Sequence, residues 1–337
     1  MAKHRVLIVG TGSIGERHLR CFSASGRADV SLCEVDDERR RVVAERYGVT
    51  RSFGDLAVAL EQGCDAAVIA TPAPLHVAMA TQLADAGTHL LIEKPLSTSF
   101  DGIGLLKQTV AARGIVAAVA YVYRAHPALG AMRQATRDGR FGRPVQIVAV
   151  AGQHFPTYRP AYRSIYYNDR AQGGGAIQDA LTHLLNAGEF LAGPIDRVMA
   201  DAAHQVLEGV EVEDTVQVLA RHGSVLGCYC LNQHQAPNEM TITVIGDRGI
   251  ARFEMHNAHW RWMTEPGGEW HDESECSRER DFMFVTQAHA FLDAVECKSL
   301  PLCSLAEGIQ TLRVNLTVLA ASDRPAWNVI QREDSTA

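Results

Sequence analysis

Nowhere in its 337 residues does the chain run to the roughly 20 apolar residues needed to cross a bilayer, so no membrane span is expected. Basic runs are missing too, and the formal charge is −7. A nucleic-acid partner is therefore not expected, because neutralising phosphates takes clustered Lys or Arg. The eight cysteines have neither a metal-ligand spacing nor the density of a disulfide framework. No metal site is expected, and the thiols read as free and buried, with Cys228 and Cys230 on one face of a strand. The start, Met1-Ala2-Lys3-His4-Arg5, enters a strand without the apolar core or cleavage site of a signal peptide, so a cytoplasmic location is expected. What remains is a soluble chain of about two domains acting on a small molecule.

The first half has a βαβ rhythm. Val6-Leu7-Ile8-Val9 is an apolar strand followed at once by Gly10-Thr11-Gly12-Ser13-Ile14-Gly15 and a helical segment running to Gly26. In that context the glycines allow a tight turn, close backbone approach to a pyrophosphate and close helix–strand packing, with the anion on the helix N-terminus. A second strand, from Val30, ends at Glu34, about 20 residues beyond the glycines, where an acid bonds a ribose 2′-hydroxyl and repels a 2′-phosphate. NAD is favoured over NADP. The alternative is that Glu34 and Asp36 merely start the next helix, Asp36 as its N-cap. Ala66–Ala70 is a third strand, ended by Thr71-Pro72-Ala73-Pro74; His76 to Ala86 is a helix that Gly87 stops. His76 either lines the cofactor loop or is solvated. His89–Ile92 is a fourth strand, and Glu93-Lys94-Pro95 emerges at its carboxyl end, where open α/β sheets bind ligands. A lysine held there, partly desolvated, can exchange a proton during turnover. A helix from about Ser99 to Ala112 and a strand at Val116–Tyr121 complete a doubly wound parallel sheet, residues 1–122.

The second half, 123–330, reads as an α+β domain with a large, mostly antiparallel open sheet, followed by a tail at 331–337. After a helix from Pro127 to Asp138, strands are expected at Val145–Gly152, Arg197–His204, Thr215–His222, Val225–Asn232, Met240–Ile245 and Ile250–Met255. Two late helices, roughly Asp281–Cys297 and Ser304–Ala320, are expected to pack against both domains. Between the first two of those strands, Gly173-Gly174-Gly175 opens a helix from Ala176 to Leu191 whose core face carries Ile177, Leu181, Leu184 and Leu185. Asp179 and His183, at i and i+4, fall on roughly the opposite face with Asn186. A carboxylate one turn from a histidine can support the imidazolium and fix its tautomer; the alternative is a solvated polar stripe. The glycines permit close approach to a ligand. The segment 153–167 is rich in Tyr, Arg and Pro and lacks a period. It suits a polyhydroxylated or anionic ligand, with Tyr158, Arg163 and Tyr167 as candidate contacts, or equally an oligomer contact.

These motifs resemble the glucose-fructose oxidoreductase / inositol dehydrogenase / rhizopine catabolism (Gfo/Idh/MocA) family over nearly the whole chain: Gly10–Gly15, Ala70-Thr71-Pro72 with His76, Glu93-Lys94-Pro95, Arg124 with His126-Pro127, Gly173–Gly175, Asp179 and His183. The resemblance implies a Rossmann domain holding NAD through Gly10, Gly12, Ser13, Ile14, Gly15, Glu34, Thr71, Pro72, His76 and Glu93, and substrate held by Lys94, Arg124, Asp179 and His183. It implies that Lys94 and His183 move protons, that Asp179 orients substrate and that Lys94-Pro95 is cis. Where the family motif has glycine, this chain has Leu181, which is expected to crowd the helix beside the catalytic pair. The implied activity is hydride transfer between NAD(P) and a hydroxyl-bearing carbon of a sugar, cyclic polyol or derivative, in a homo-oligomer, dimer or tetramer, formed through the C-terminal sheet. A retained-NAD glycoside hydrolase, a silent NAD-binding regulator and a mainly structural oligomer subunit are the alternatives.

Overall fold

A computed structural model describes residues 3–273, 279–324 and 326; the expected tail at 331–337 lies outside them. Strands His4–Val9 (β1), Ala28–Cys33 (β2), Ser52–Phe53 (β3), Ala66–Ile69 (β4), His89–Ile92 (β5) and Ala117–Val119 (β6) form a parallel sheet in the order β3-β2-β1-β4-β5-β6. Helices Ser13–Ala24 (α1), Asp37–Tyr47 (α2), Leu56–Glu61 (α3), His76–Asp85 (α4) and Ile103–Arg113 (α5) connect them. Val6 to Val9 are buried throughout, as a strand covered on both faces must be. The order reverses between β1 and β4, which opens a crevice at their carboxyl ends. α5 starts later than its apolar pattern suggests, because Ser97 and Ser99 side chains accept backbone N–H bonds and hold residues 97–101 in a turn.

The second half begins with Pro127–Arg137 (α6) and builds an eight-stranded sheet from Pro144–Gly152 (β7), Arg197–Ala203 (β8), Thr215–His222 (β9), Val225–Asn232 (β10), Glu239–Gly246 (β11), Gly249–Glu254 (β12), His259–Met263 (β13) and His271–Asp272 (β14). Only the β7–β10 pair is parallel among the described strands of this sheet. The last two strands, and short β3, carry no period long enough to find by sequence. Residues 153–172 are not an irregular loop: Phe155–Tyr158 (α7) and three short 3₁₀ turns follow one another, with Pro156 and Pro160 in first-turn positions that need no N–H. The next helix is also not uniform, since Ile177–Leu181 is a π-turn leading into Thr182–Ala192 (α8).

α6, α8 and the C-terminal half of Leu305–Ser322 (α10) cover one face of the large sheet, with Leu129, Met132, Leu184, Leu185, Val314 and Val318 in its core. Leu181 belongs to that core and is fully buried, so it packs beneath the helix rather than beside the polar pair. The N-terminal half of α10 joins the core of the first sheet through Leu305, Ile309 and Leu312. Phe282–Val295 (α9) lays Ala288, Phe291 and Leu292 on Leu19 and Phe22. Each large side chain buried this way contributes about 1.5–3 kcal/mol. The late helices thus clamp both sheets. Arg124 is a buried strut of the same clamp: it donates to Asn186 Oδ1 (2.8 Å), the Leu302 carbonyl (3.0 Å) and Glu307 (2.5 Å). Asn186 is therefore buried and paired, not part of a solvated stripe.

The thiols are free where described, but not all buried: Cys21, Cys33 and Cys303 are, Cys64, Cys228 and Cys230 are half-buried, and Cys297 is exposed. Cys228 and Cys230 share a face at 3.9 Å between sulfurs. No helix among the described residues is long and apolar enough to cross a membrane.

His126 gives a test of this packing. Its Nδ1 accepts the Ala128 N–H at the start of α6 (3.2 Å), its ring meets Phe253 edge-on, and burial pushes it from 6.5 down to about 4. The unfolded chain binds this proton first, so the stabilisation is present above about pH 6.5 and is lost as pH falls to about 4, by up to about 3 kcal/mol. Urea titrations should show that loss, and His126→Asn, an N-cap that does not titrate, should reduce it.

Candidate active site

The glycine turn sits in the crevice where the strand order reverses. Gly10 has φ +83°, and a side chain there would crowd the Ala70 carbonyl at 2.9 Å. At Gly15 a side chain would collide with the Gly10 carbonyl, whereas the space around Gly12, the N-cap of α1, is open. Open space at a helix N-terminus whose amides need acceptors fits a pyrophosphate. Ser13 lies exposed and Ile14 half-buried in that first turn. Glu34 is buried, accepting the Thr11 N–H (2.8 Å) and hydroxyl (3.1 Å) on Oε2 and the Asp36 N–H (3.1 Å) on Oε1. It is thus fastened to the glycine turn. Asp36 also caps α2, accepting the Arg39 N–H at 2.8 Å. These residues fit a dinucleotide.

Two buried histidines bind the neighbouring turns together. His76 is not solvated: its Nε2 lies 2.8 Å from the Thr71 carbonyl and its Nδ1 3.0 Å from the Pro95 carbonyl, which ties the exposed Pro72 turn to the loop after β5. His18, on α1, donates from Nε2 to Glu93 at 2.6 Å. Glu93 accepts the Lys94 N–H on its other oxygen (3.0 Å), and burial notwithstanding its pKa is lowered by His18 and Lys94. The Lys94–Pro95 bond is cis.

Lys94 then crosses to the second domain, donating to the Asp179 carbonyl (2.7 Å) and Oδ1 (3.2 Å). Asp179 is buried; against the opposing effect of that burial, Lys94 and then Arg159 hold its carboxyl well below the usual range. Tyr166 donates its hydroxyl to the same Oδ1 at 2.5 Å, and Arg159 approaches Oδ2 to 3.9 Å. The expected Asp179–His183 hydrogen bond is absent. Asp179 Oδ1 is taken by Lys94 and Tyr166, in a π-turn rather than a regular α-helix. Instead Tyr123 stacks on His183 with ring centroids 4.6 Å apart, and Tyr121, tied to Thr182 at 2.9 Å, meets it edge-on. His183 Nδ1 is buried without a partner, which leaves Nε2 as the ring atom a ligand can reach. Burial, and next the Lys94 cation, push the imidazole well below its ordinary 6.5, so it is neutral at neutral pH and able to accept a proton.

The three glycines make room for protein rather than for a ligand. A side chain at Gly173 would press on Ala73 and Pro95, one at Gly174 would strike the Tyr167 carbonyl, and one at Gly175 would strike Glu213. Glu213 accepts the Ile177 N–H (3.1 Å) and an Arg170 bond (2.7 Å).

Of the residues expected at the substrate, Lys94, Asp179 and His183 converge, while Arg124 is a strut. Tyr167 is buried with Phe155 and Tyr162, its hydroxyl donating to Gln233. Arg163 donates to the Glu208 carbonyl at 2.8 Å, and Tyr158 is exposed. Sequence reasoning missed Tyr123, Arg159 and Tyr166. The only signal was their presence in Tyr/Arg-rich segments, which does not say which ring or guanidinium turns inward.

A dinucleotide-type crevice whose Lys94, at the end of the first sheet's β5, meets Asp179 near His183 on a helix packed on the second sheet defines the site of an oxidoreductase. Comparison with known proteins agrees: residues 4–121 match the family model described as "Oxidoreductase family, NAD-binding Rossmann fold" and residues 130–252 the "GFO/IDH/MocA C-terminal domain". D-apiose dehydrogenase of Paraburkholderia graminis is 27% identical over 74% of this chain and 69% of its own. Levoglucosan dehydrogenase of Pseudarthrobacter phenanthrenivorans is 25% identical over 75% of this chain and 74% of its own. A solved structure of levoglucosan dehydrogenase with NADH and levoglucosan superposes with a TM-score of 0.87 over 97% of this chain and 99% of that one, at 20% identity. The chain belongs to the Gfo/Idh/MocA family of oxidoreductases, and it is an NAD-dependent dehydrogenase acting on a hydroxyl-bearing carbon.

Glu34→Gln keeps an acceptor for Thr11 and removes the charge. The ratio of kcat/KM with NADP to that with NAD should rise about tenfold or more. An unchanged ratio would move cofactor selection to another residue.

Proposed function

We propose that the substrate is a sugar, cyclic polyol or sugar derivative, and that Lys94 and His183 handle the proton of the hydroxyl that is oxidised. The observation that carries this reading is the bond from Lys94 Nζ to Asp179, which joins the end of β5 to the start of the helix carrying His183. The substrate hydroxyl sits between Nζ and His183 Nε2. Lys94 donates to its oxygen and lowers the cost of charge developing there, and neutral His183 takes the proton. NAD, held by the glycine turn and Glu34, would supply the hydride acceptor for the same carbon; loss of the C–H and O–H bonds would leave a C=O bond, with the proton passing through His183 to water. Asp179 keeps Lys94 extended, and Tyr166 keeps Asp179 in place. Tyr121 and Tyr123 hold the imidazole plane while excluding water from its faces. The reverse sequence reduces a ketone. The named dehydrogenases of apiose and levoglucosan support a carbohydrate-like substrate.

The large sheet supplies a surface for self-association. Val148, Cys228, Leu219 and Met199 lie in one row across four strands of its outer face, and Leu219 and Met199 are about 60% exposed there. We take a second copy of the chain as the cover for that row. Sedimentation should give a dimer or larger, and Leu219→Glu should shift it towards monomer.

For the chemistry, Lys94→Ala should lower kcat/KM by about 10³ while leaving the NAD dissociation constant within about twofold. Because His183 is unprotonated well below its ordinary range, wild-type kcat/KM for oxidation should not fall as pH drops through 6.5. A decline centred there would make His183 an ordinary imidazole and remove it from the base role. Product analysis separates the dehydrogenase from a hydrolase that retains its cofactor, since the latter consumes no net NAD.

A further inference from the structure

The cluster around Asp179 holds one cation more than the proton chemistry uses. Arg159 follows α7; its N–H bonds to the Phe155 carbonyl (2.7 Å), and its guanidinium lies 5.5 Å from the ring centroid of Phe155, which is itself buried. That ring steadies the planar group. The nearest approach to Asp179, 3.9 Å, is too long for a hydrogen bond, and the carboxylate already accepts Lys94 and Tyr166. The Arg159 side chain is half exposed, beside Asp179 and Tyr166.

Charge in the site is closely matched. Lys94 and Arg159 face the carboxylates of Asp179 and Glu93, and His183 is neutral. The oxidised nicotinamide ring would tip that balance by one positive charge. A neutral sugar leaves this excess in place inside a partly desolvated site, where like charges repel most strongly. A substrate carrying one negative charge offsets it, and the fork of one guanidinium matches one carboxylate.

We propose that Arg159 binds a carboxylate of the substrate, which makes the preferred substrate a sugar acid, an aldonate or uronate, rather than a neutral sugar or a phosphate ester. The inference rests on the dehydrogenase reading of the same site and deepens it. Arg159 acts on recognition and Lys94 and His183 on chemistry, so its loss should fall mainly on KM.

The test measures initial rates of NAD reduction by the full-length protein with matched compounds: gluconate, galactonate and glucuronate; sorbitol, galactitol and glucose; and glucose 6-phosphate. At least one acid should exceed its neutral counterpart in kcat/KM by tenfold or more. Arg159→Gln should reduce that acid-to-neutral ratio about 30-fold through KM, and Arg159→Lys should restore part of it. Equal use of acid and neutral compounds, preference for the phosphate ester, or an equal loss on all substrates in Arg159→Gln would overturn the proposal, the last leaving Arg159 a support for Asp179. Calorimetry with the NADH-loaded protein separates the two readings. If no compound reduces NAD, the assigned chemistry fails on its own. Binding of the acids but not the polyols, lost in Arg159→Gln, would still uphold the carboxylate site; no selective binding would overturn it.

Discussion

The bond between Lys94 and Asp179 is the constraint on which the rest of this molecule depends. One partner ends the fifth strand of a parallel sheet and the other opens a helix packed on a different sheet, so the contact exists only when both are built and clamped. Both groups are largely out of water, and a buried ion pair costs desolvation that its own attraction offsets only when further donors complete it. Tyr166 and the second bond from Lys94, to the Asp179 carbonyl, complete it here. The same carboxylate makes a cation tolerable beside a neutral histidine. Lys94 pushes the imidazole down and Asp179 pulls it up, and burial decides the outcome in favour of the uncharged ring.

Behind that pair stands a second buried one. His18 and Glu93 carry no exposed atom of consequence, yet they connect the helix of the glycine turn to the backbone N–H of Lys94. An arrangement of this kind fixes where the lysine leaves the sheet relative to where the dinucleotide phosphates would lie. The lysine and the glycine turn are thereby held at one distance by a buried side-chain pair.

Much of this was legible in the sequence because it is periodic or local. A strand, a glycine turn and a helix in succession have few other uses, and Glu-Lys-Pro after an apolar run lands at the ligand-binding edge of such a sheet by construction. The antiparallel second sheet followed from alternation. Three features escaped for physical reasons. Short turns hide direction: Arg159 and Tyr166 face inward, Arg163 and Tyr158 outward, and Tyr167 lies in the segment's own core, without any repeat to tell them apart. The π-turn at Ile177–Leu181 is invisible to a 3.6-residue count, and nothing in the pattern says that Lys94 and Tyr166, not His183, bond the Asp179 carboxylate. His18 and Arg124 are polar groups on buried faces, whose partners come from 75 and more than 60 residues away.

The glycines before the helix bearing Asp179 show how close the two halves come. Gly173 packs on Ala73 and Pro95, and these belong to the two turns that His76 joins through the Thr71 and Pro95 carbonyls. The start of the helix bearing Asp179 therefore rests directly on the cofactor-side loops, with no side chain between. Because this contact is backbone against small or cyclic residues, it has little slack to take up. Displacing either loop would displace the helix start with it, and so move Asp179 against Lys94. His76 consequently bears on the spacing of Lys94 and Asp179 through the two carbonyls it joins.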